Sequence, residues 1–150
     1  MPLLHETIET TLPPEAAFAF IADFANCPAW DPNTPTAERI GAGPAGLGSR
    51  YKLGVYQRGK VVPMEYTISA WEPSSRVVLD GVGEGVRATD DIRFTATPTG
   101  TRVDYRADIH LTGIMRLAEP FAGGAFDKIA KGAASGMKKA LDERAKAAGQ

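Results

Sequence analysis

The succession of elements along this chain predicts an α+β fold: one antiparallel sheet with a long C-terminal helix laid across one face. Three observations carry that expectation. Residues 36–111 break into about six short runs of strand-like alternation, separated by turns rich in proline and glycine. One further strand and a short helix precede them. From about Met115 to Ala148 the composition is helical, and no other element is long enough to cover a sheet whose one face must be buried.

The first strand is read over Leu3–Leu12, which is threonine-rich and alternates. Pro13-Pro14-Glu15 then opens a helix, because proline suits a first turn that needs no N–H donor and an acidic side chain suits the positive helix end. The run AAFAFIADF places Phe18, Ile21, Ala22 and Ala25 on one apolar stripe and stops near Asn26. CPAWDPNTP, Cys27 to Pro35, is a proline-broken connection that carries Trp30. The strands TAERI, RYKLGVYQ, KVVPMEYTISAW, RVVLDGV, VRATDDIRFTA and TRVDYRADIHLTG follow, and the turn Thr97–Gly100 is the clearest hairpin among them. With no repeat, linker or low-complexity segment, residues 1–150 read as one domain.

Composition narrows the function classes. Of 150 residues 43% are hydrophobic and 23% charged, which is the balance of a folded globular chain with a sizeable core. A formal net charge of -1 provides no positive field, so nucleic acid is not an expected partner. The basic residues of the last helix, Lys128, Lys131, Lys138, Lys139, Arg144 and Lys146, read as a solvated face. Cys27 is the only cysteine, so no internal disulfide can form. MPLLHETIET lacks a basic leader and an apolar run, and no window reaches eighteen apolar residues. The expectation is a cytoplasmic protein without an integral membrane segment, monomeric or homodimeric.

Several motifs are set aside on physical grounds. Gly41–Gly46 spells GxGxxG, but Pro44 removes a backbone donor and a strand follows where a dinucleotide site needs a helix. His5, His110 and Cys27 stand too far apart for metal-ligand spacing, and no metal or cofactor is expected. Ser135 lies in mid-helix rather than at a strand-to-helix elbow. Cys27 reads as a small buried hydrophobe and His110 as a surface residue. Asp90 and Asp91 point to opposite faces of their strand; Ile92 and Phe94 set the inner face, so Asp90 points inward. An inward carboxyl is either a structural acid or a polar anchor in a pocket, since burial without a partner is costly.

The last helix carries Gly123, Gly124, Gly132 and Gly136, each costing about 1 kcal/mol relative to alanine. A stripe of Ala125, Ile129, Gly132, Gly136 and Ala140, flanked by Phe126, Ala133 and Met137, is read as the inner face. Thin packing there means either a close backbone contact or a cavity beneath the helix. The inner sheet positions Tyr51, Leu53, Met64, Tyr66 and Tyr105 supply apolar walls with polar tips, as a small-molecule pocket requires.

The whole chain resembles the START-like helix-grip (SRPBCC) superfamily in its polyketide cyclase/dehydrase branch. The carrying residues are TIETTLPPEAAFAFIADFANCPAWDP, ISAWEPSSRVVL and GTRVDYRADIHLTG, followed by the long terminal helix. The resemblance implies a curved sheet of about seven strands wrapped around that helix, with two short helices after the first strand. It also implies that Trp30 lies near one end of an internal cavity. Cyclase members use pocket arginines, whereas KVVPMEYTI offers none and Arg87, Arg93, Arg102 and Arg106 fall on the outward register.

Three functions stay open. The first is binding of a small hydrophobic or amphipathic molecule, of lipid, polyketide or aromatic type, in a cavity bounded by Trp30, Tyr51, Leu53, Met64, Tyr66, Asp90, Tyr105, Phe126, Ile129, Gly132, Gly136 and Met137. The second is a cyclase or dehydratase with Asp90 as general base and Tyr66 or Tyr105 as hydrogen-bond donors to an enolate. The third is a protein-interaction module of the chaperone-cofactor type.

Overall fold

A computed structural model describes residues 3–121 and 123–149; Ala122, inside the stretch expected to be helical, lies outside them. Seven strands form one sheet: β1 (Leu3–Thr10), β2 (Thr36–Ile40), β3 (Arg50–Gln57), β4 (Lys60–Glu72), β5 (Arg76–Gly83), β6 (Val86–Thr97) and β7 (Gly100–Leu111). Their order across the sheet is β1-β7-β6-β5-β4-β3-β2, with every neighbouring pair antiparallel. The chain leaves β1 at one edge, crosses to the opposite edge through its short helices, and returns as a six-strand meander.

Helix α1 (Pro14–Ile21) starts where the double proline and Glu15 place it. It ends at Ile21 rather than near Asn26 because the next residues are claimed by a 3-10 segment, Phe24–Ala29. The Asp23 carboxylate accepts the Ala25 N–H at 3.2 Å, and the Asn26 side-chain amide donates to the Phe20 carbonyl at 3.0 Å. These side chains offer the backbone a competing set of bonds, and Pro28 excludes a longer α-helix.

Strand β4 shifts register between Ile68 and Ala70. A bulge of this kind switches which residues face inward. Before it Met64, Tyr66 and Ile68 point to the core; after it Trp71 does, edge-on to Phe18 at 4.9 Å between ring centroids. Phe18 also meets Phe94 at 5.4 Å, so the three rings plug one end of the space enclosed by the sheet.

A second 3-10 segment, Gly113–Phe121, leads into α2 (Gly123–Ala147). This helix packs mainly on β1, where the Lys138 ammonium donates to the Glu9 carbonyl at 3.0 Å. Its buried face runs through Ala130, Ala133, Met137, Leu141 and Ala145, not along the glycines. The phase is set by Met137 and Leu141, both 0% exposed, whose bulk outweighs the glycines in choosing which side is buried. Lys131 pairs with Asp127 and Lys138 with Asp142, each at 2.9 Å on the solvent side, while the Arg144 guanidinium lies 4.2 Å above the Phe20 ring.

Candidate ligand cavity

Between the sheet and the first half of α2 lies a cavity of about 280 Å³. Alternating inward residues of four strands build its walls: Leu53 and Val55 of β3, Met64 and Tyr66 of β4, Ala88 and Asp90 of β6, Tyr105 and Ala107 of β7. Ala125, Phe126 and Ile129 of α2 roof it, and Met115 and Ala118 of the second 3-10 segment close one flank. Strand β5 adds no wall residue because its inward positions there are Gly81 and Gly83. A Cβ on Gly81 would stand 2.5 Å from the Tyr66 ring, and one on Gly83 2.9 Å from the Met64 side chain. Bare backbone on β5 is what lets Tyr66 and Met64 lie flat beside the cavity.

The inner end of this apolar space is polar and acidic. Asp90 is 6% exposed, borders the cavity, and receives no hydrogen bond among the described residues. Burial first, then the nearby Asp31 and Asp80 carboxylates, push its carboxyl up to about 8 from an ordinary 3.8. Asp31 also borders the cavity, but its oxygens are engaged by the Asn33 N–H at 2.9 Å and the Thr34 hydroxyl at 2.8 Å. Burial still raises its pKa, against those two bonds. The Tyr66 hydroxyl has only the Met64 sulfur, at 4.0 Å, and the Tyr105 hydroxyl has no partner among the described residues. Burial and the Asp90 carboxylate raise both phenols well above their usual range. Cys27 is driven the same way, by burial and then by Asp31, Asp90 and Asp23.

Eight of the residues named from sequence come together here: Trp30, Leu53, Met64, Tyr66, Asp90, Tyr105, Phe126 and Ile129. The other four do not. Tyr51 is 0% exposed and packs behind the wall near Phe24; burial and the Asp23 carboxylate raise its phenol. Met137 is sealed against the sheet. Gly132 and Gly136 face the segment Trp30–Pro32 at the rear of the helix. A Cβ on Gly136 would overlap the Trp30 carbonyl oxygen, whereas one on Gly132 would meet only Pro32 at an ordinary 3.5 Å. The reason for Gly136 is therefore backbone contact, and the hollow lies about two to three turns nearer the helix N-terminus.

Sequence reasoning missed Asp31 and the wall residues Ala88, Ala107 and Ile109. These three strand positions follow from the same alternation that placed Asp90 inward. Asp31 sits in an irregular turn and has no periodic signal. Asp91 points outward, as its register requires, where the Arg76 guanidinium grips it through two bonds of 3.1 Å. His110 meets Asp108 at 3.0 Å and His5 meets Asp104 at 3.2 Å, both outside the cavity. Gly41–Gly46 forms the loop between β2 and β3, not a strand-to-helix turn.

No curated protein is similar enough to this chain to count as a relative. Among solved structures, the Zhui aromatase/cyclase of a Streptomyces species superposes with a TM-score of 0.77 at 13% identity, covering 99% of this chain and 98% of that one. A START superfamily protein of Mycobacterium smegmatis gives a TM-score of 0.71 at 16% identity, covering 95% of each chain. A protein of Thermus thermophilus gives 0.76 at 20% identity, covering 99% of this chain and 100% of that one. These likenesses are of fold: a seven-stranded antiparallel sheet gripping a C-terminal helix. The model of the family described as polyketide cyclase/dehydrase and lipid transport matches residues 1–147. By that match the chain belongs to the polyketide cyclase/dehydrase and lipid transport family.

Proposed function

We propose that the protein encloses a small amphipathic molecule, with its apolar body between sheet and α2 and its polar end toward Asp90. The observation that carries this reading is the cavity itself: about 280 Å³, the volume of about nine waters, behind walls that offer water few partners. Burying on the order of 300 Å² of apolar ligand surface contributes roughly 7 kcal/mol, and association costs bring that to about micromolar affinity. The open interior is the opposite of the filled core that an interaction module would use.

A second reading, cyclase or dehydratase chemistry, is favoured by one observation: Asp90 titrates near 8 beside two phenols that border the same space. At neutral pH its carboxyl holds its proton and acts first as an acid toward a carbonyl or hydroxyl oxygen, with Tyr66 and Tyr105 as further donors. Among the described residues no arginine lines the inner end; the basic residue that borders the space is Arg58, at the exposed β3–β4 turn.

Ala107→Leu tests the binding reading. It adds bulk to the cavity wall with no polar change, so an environment-sensitive apolar dye should lose at least tenfold in affinity while the thermal midpoint holds or rises. Equal dye uptake by variant and wild type would overturn the reading.

A further inference from the structure

The titratable groups around the inner end of the cavity are all acids. From the connection after the first 3-10 segment comes Asp31, from that segment Cys27, from β4 Tyr66, from β6 Asp90 and from β7 Tyr105. On the far side of the sheet Asp80 of β5 adds its field. The lining residues of α2 (Ala125, Phe126, Ile129) and of the second 3-10 segment (Met115, Ala118) bring no titratable group, and the basic residue Arg58 stays at the exposed rim. Each of the five groups is displaced toward its protonated form by burial, and in each but Asp31 a neighbouring acid adds to the shift. What the site lacks is a cation.

The walls around that point are aromatic. Trp30 meets Tyr105 edge-on at 6.2 Å and Phe24 at 6.0 Å, and Phe24 meets Tyr66 at 5.5 Å. Aromatic faces attract organic cations more strongly when water is excluded. A metal ion does not answer the deficit, because among the described residues no three His, Cys, Asp or Glu side chains are grouped to hold one. Asp90, buried and without a hydrogen-bond partner among the described residues, borders a space large enough for a guest.

We propose that the molecule held in this cavity carries a protonated amine, whose N–H groups meet the Asp90 carboxylate while its hydrocarbon part lies against the apolar wall. This rests on the reading of the cavity as a ligand site and names the class of ligand. The proton balance is explicit. An ammonium ion entering beside a protonated Asp90 forms the ion pair, and the Asp90 proton leaves to solvent. A neutral alcohol or ketone binds the protonated carboxyl directly and releases nothing.

The test compares n-octylamine, 1-octanol and octanoate by titration calorimetry at pH 7, in two buffers of different ionisation enthalpy. Octylamine should bind at least tenfold more tightly than the other two and release close to one proton per molecule bound. Its affinity should rise about tenfold from pH 6 to pH 7 and level off above pH 8. Asp90→Asn should abolish that preference, and the proton count on the unaltered protein needs no variant. Tighter binding of 1-octanol or octanoate, no proton release, or an unchanged octylamine preference in Asp90→Asn would overturn the ammonium assignment and leave the cavity as a site. Failure of all three probes to bind, together with dye uptake indifferent to Ala107→Leu, would overturn both.

Discussion

Alanine at Gly136 and alanine at Gly132 should change stability in opposite directions, although the two positions are one helical turn apart. Both lie inside α2, where replacing glycine by alanine gains about 1 kcal/mol from backbone entropy alone. At Gly132 the new methyl meets Pro32 at 3.5 Å, an ordinary contact, so that gain is kept. At Gly136 the methyl would overlap the Trp30 carbonyl oxygen, and the neighbouring Trp30 carbonyl carbon stands at 3.0 Å. Backbone on both sides must shift to admit it, a change that costs about 3 kcal/mol when a packed contact is overfilled. The net loss is then about 2 kcal/mol. In a chain of this size 1 kcal/mol moves the thermal midpoint by about 2–4 °C, so Gly132→Ala should melt about 2–4 °C higher and Gly136→Ala about 4–8 °C lower. Thermal unfolding followed by circular dichroism measures both, with dye uptake as a second readout that neither variant should change while folded. Equal midpoints would refute the contact argument. Retained stability with lost dye uptake in Gly136→Ala would put the guest under the glycines after all.

Asp90 should make the protein less stable as pH rises. Its carboxyl titrates near 8 when folded and near 3.8 when unfolded, so the folded chain holds an extra proton between those values. Stability present below pH 4 is thus lost progressively up to about pH 8, by roughly 6 kcal/mol at most. Asp90→Asn should flatten this decline in urea unfolding curves, and parallel curves for the two proteins would contradict it. Gly81→Ala pushes a methyl to 2.5 Å from the Tyr66 ring, which borders the cavity; dye affinity should fall about tenfold while stability drops by about 1–3 kcal/mol. Asp91 behaves oppositely to Asp90: burial raises its carboxyl, but the Arg76 and Arg93 guanidinium groups outweigh that and hold it below 3.8. Asp91→Asn should cost about 0.5 kcal/mol at neutral pH after solvent screening, a difference that vanishes as pH falls through the carboxylate range.

Strand alternation made much of this legible. The sequence TDDIRF places Asp90 beneath the sheet because Ile92 and Phe94 cannot both face water, and a period of two leaves no freedom. The same rule put Arg87, Arg93, Arg102 and Arg106 of β6 and β7 outside, where all four are exposed. Helix phase was harder. Between Gly132 and Gly136 the chain offers only glycine, alanine and serine, whose transfer energies differ too little to choose a face. The choice fell to Met137 and Leu141, which turned the glycines toward the Trp30–Pro32 segment instead of the hollow. Asp31 and Cys27 reached the cavity through a turn built by Asp23, Asn26 and Pro28, a geometry of specific hydrogen bonds that no periodicity encodes.

The tight seating of Gly136 on the Trp30 carbonyl has a consequence for traffic. It fastens the rear of α2 to the connection behind the acidic end, and the Phe18, Trp71 and Phe94 rings stopper the sheet beyond it. On the proposed reading a guest would pass Arg58, Met115 and Phe126, which line the cavity from the β3–β4 turn, the second 3-10 segment and the start of α2. Exchange of such a guest would then depend on how readily those three pieces part.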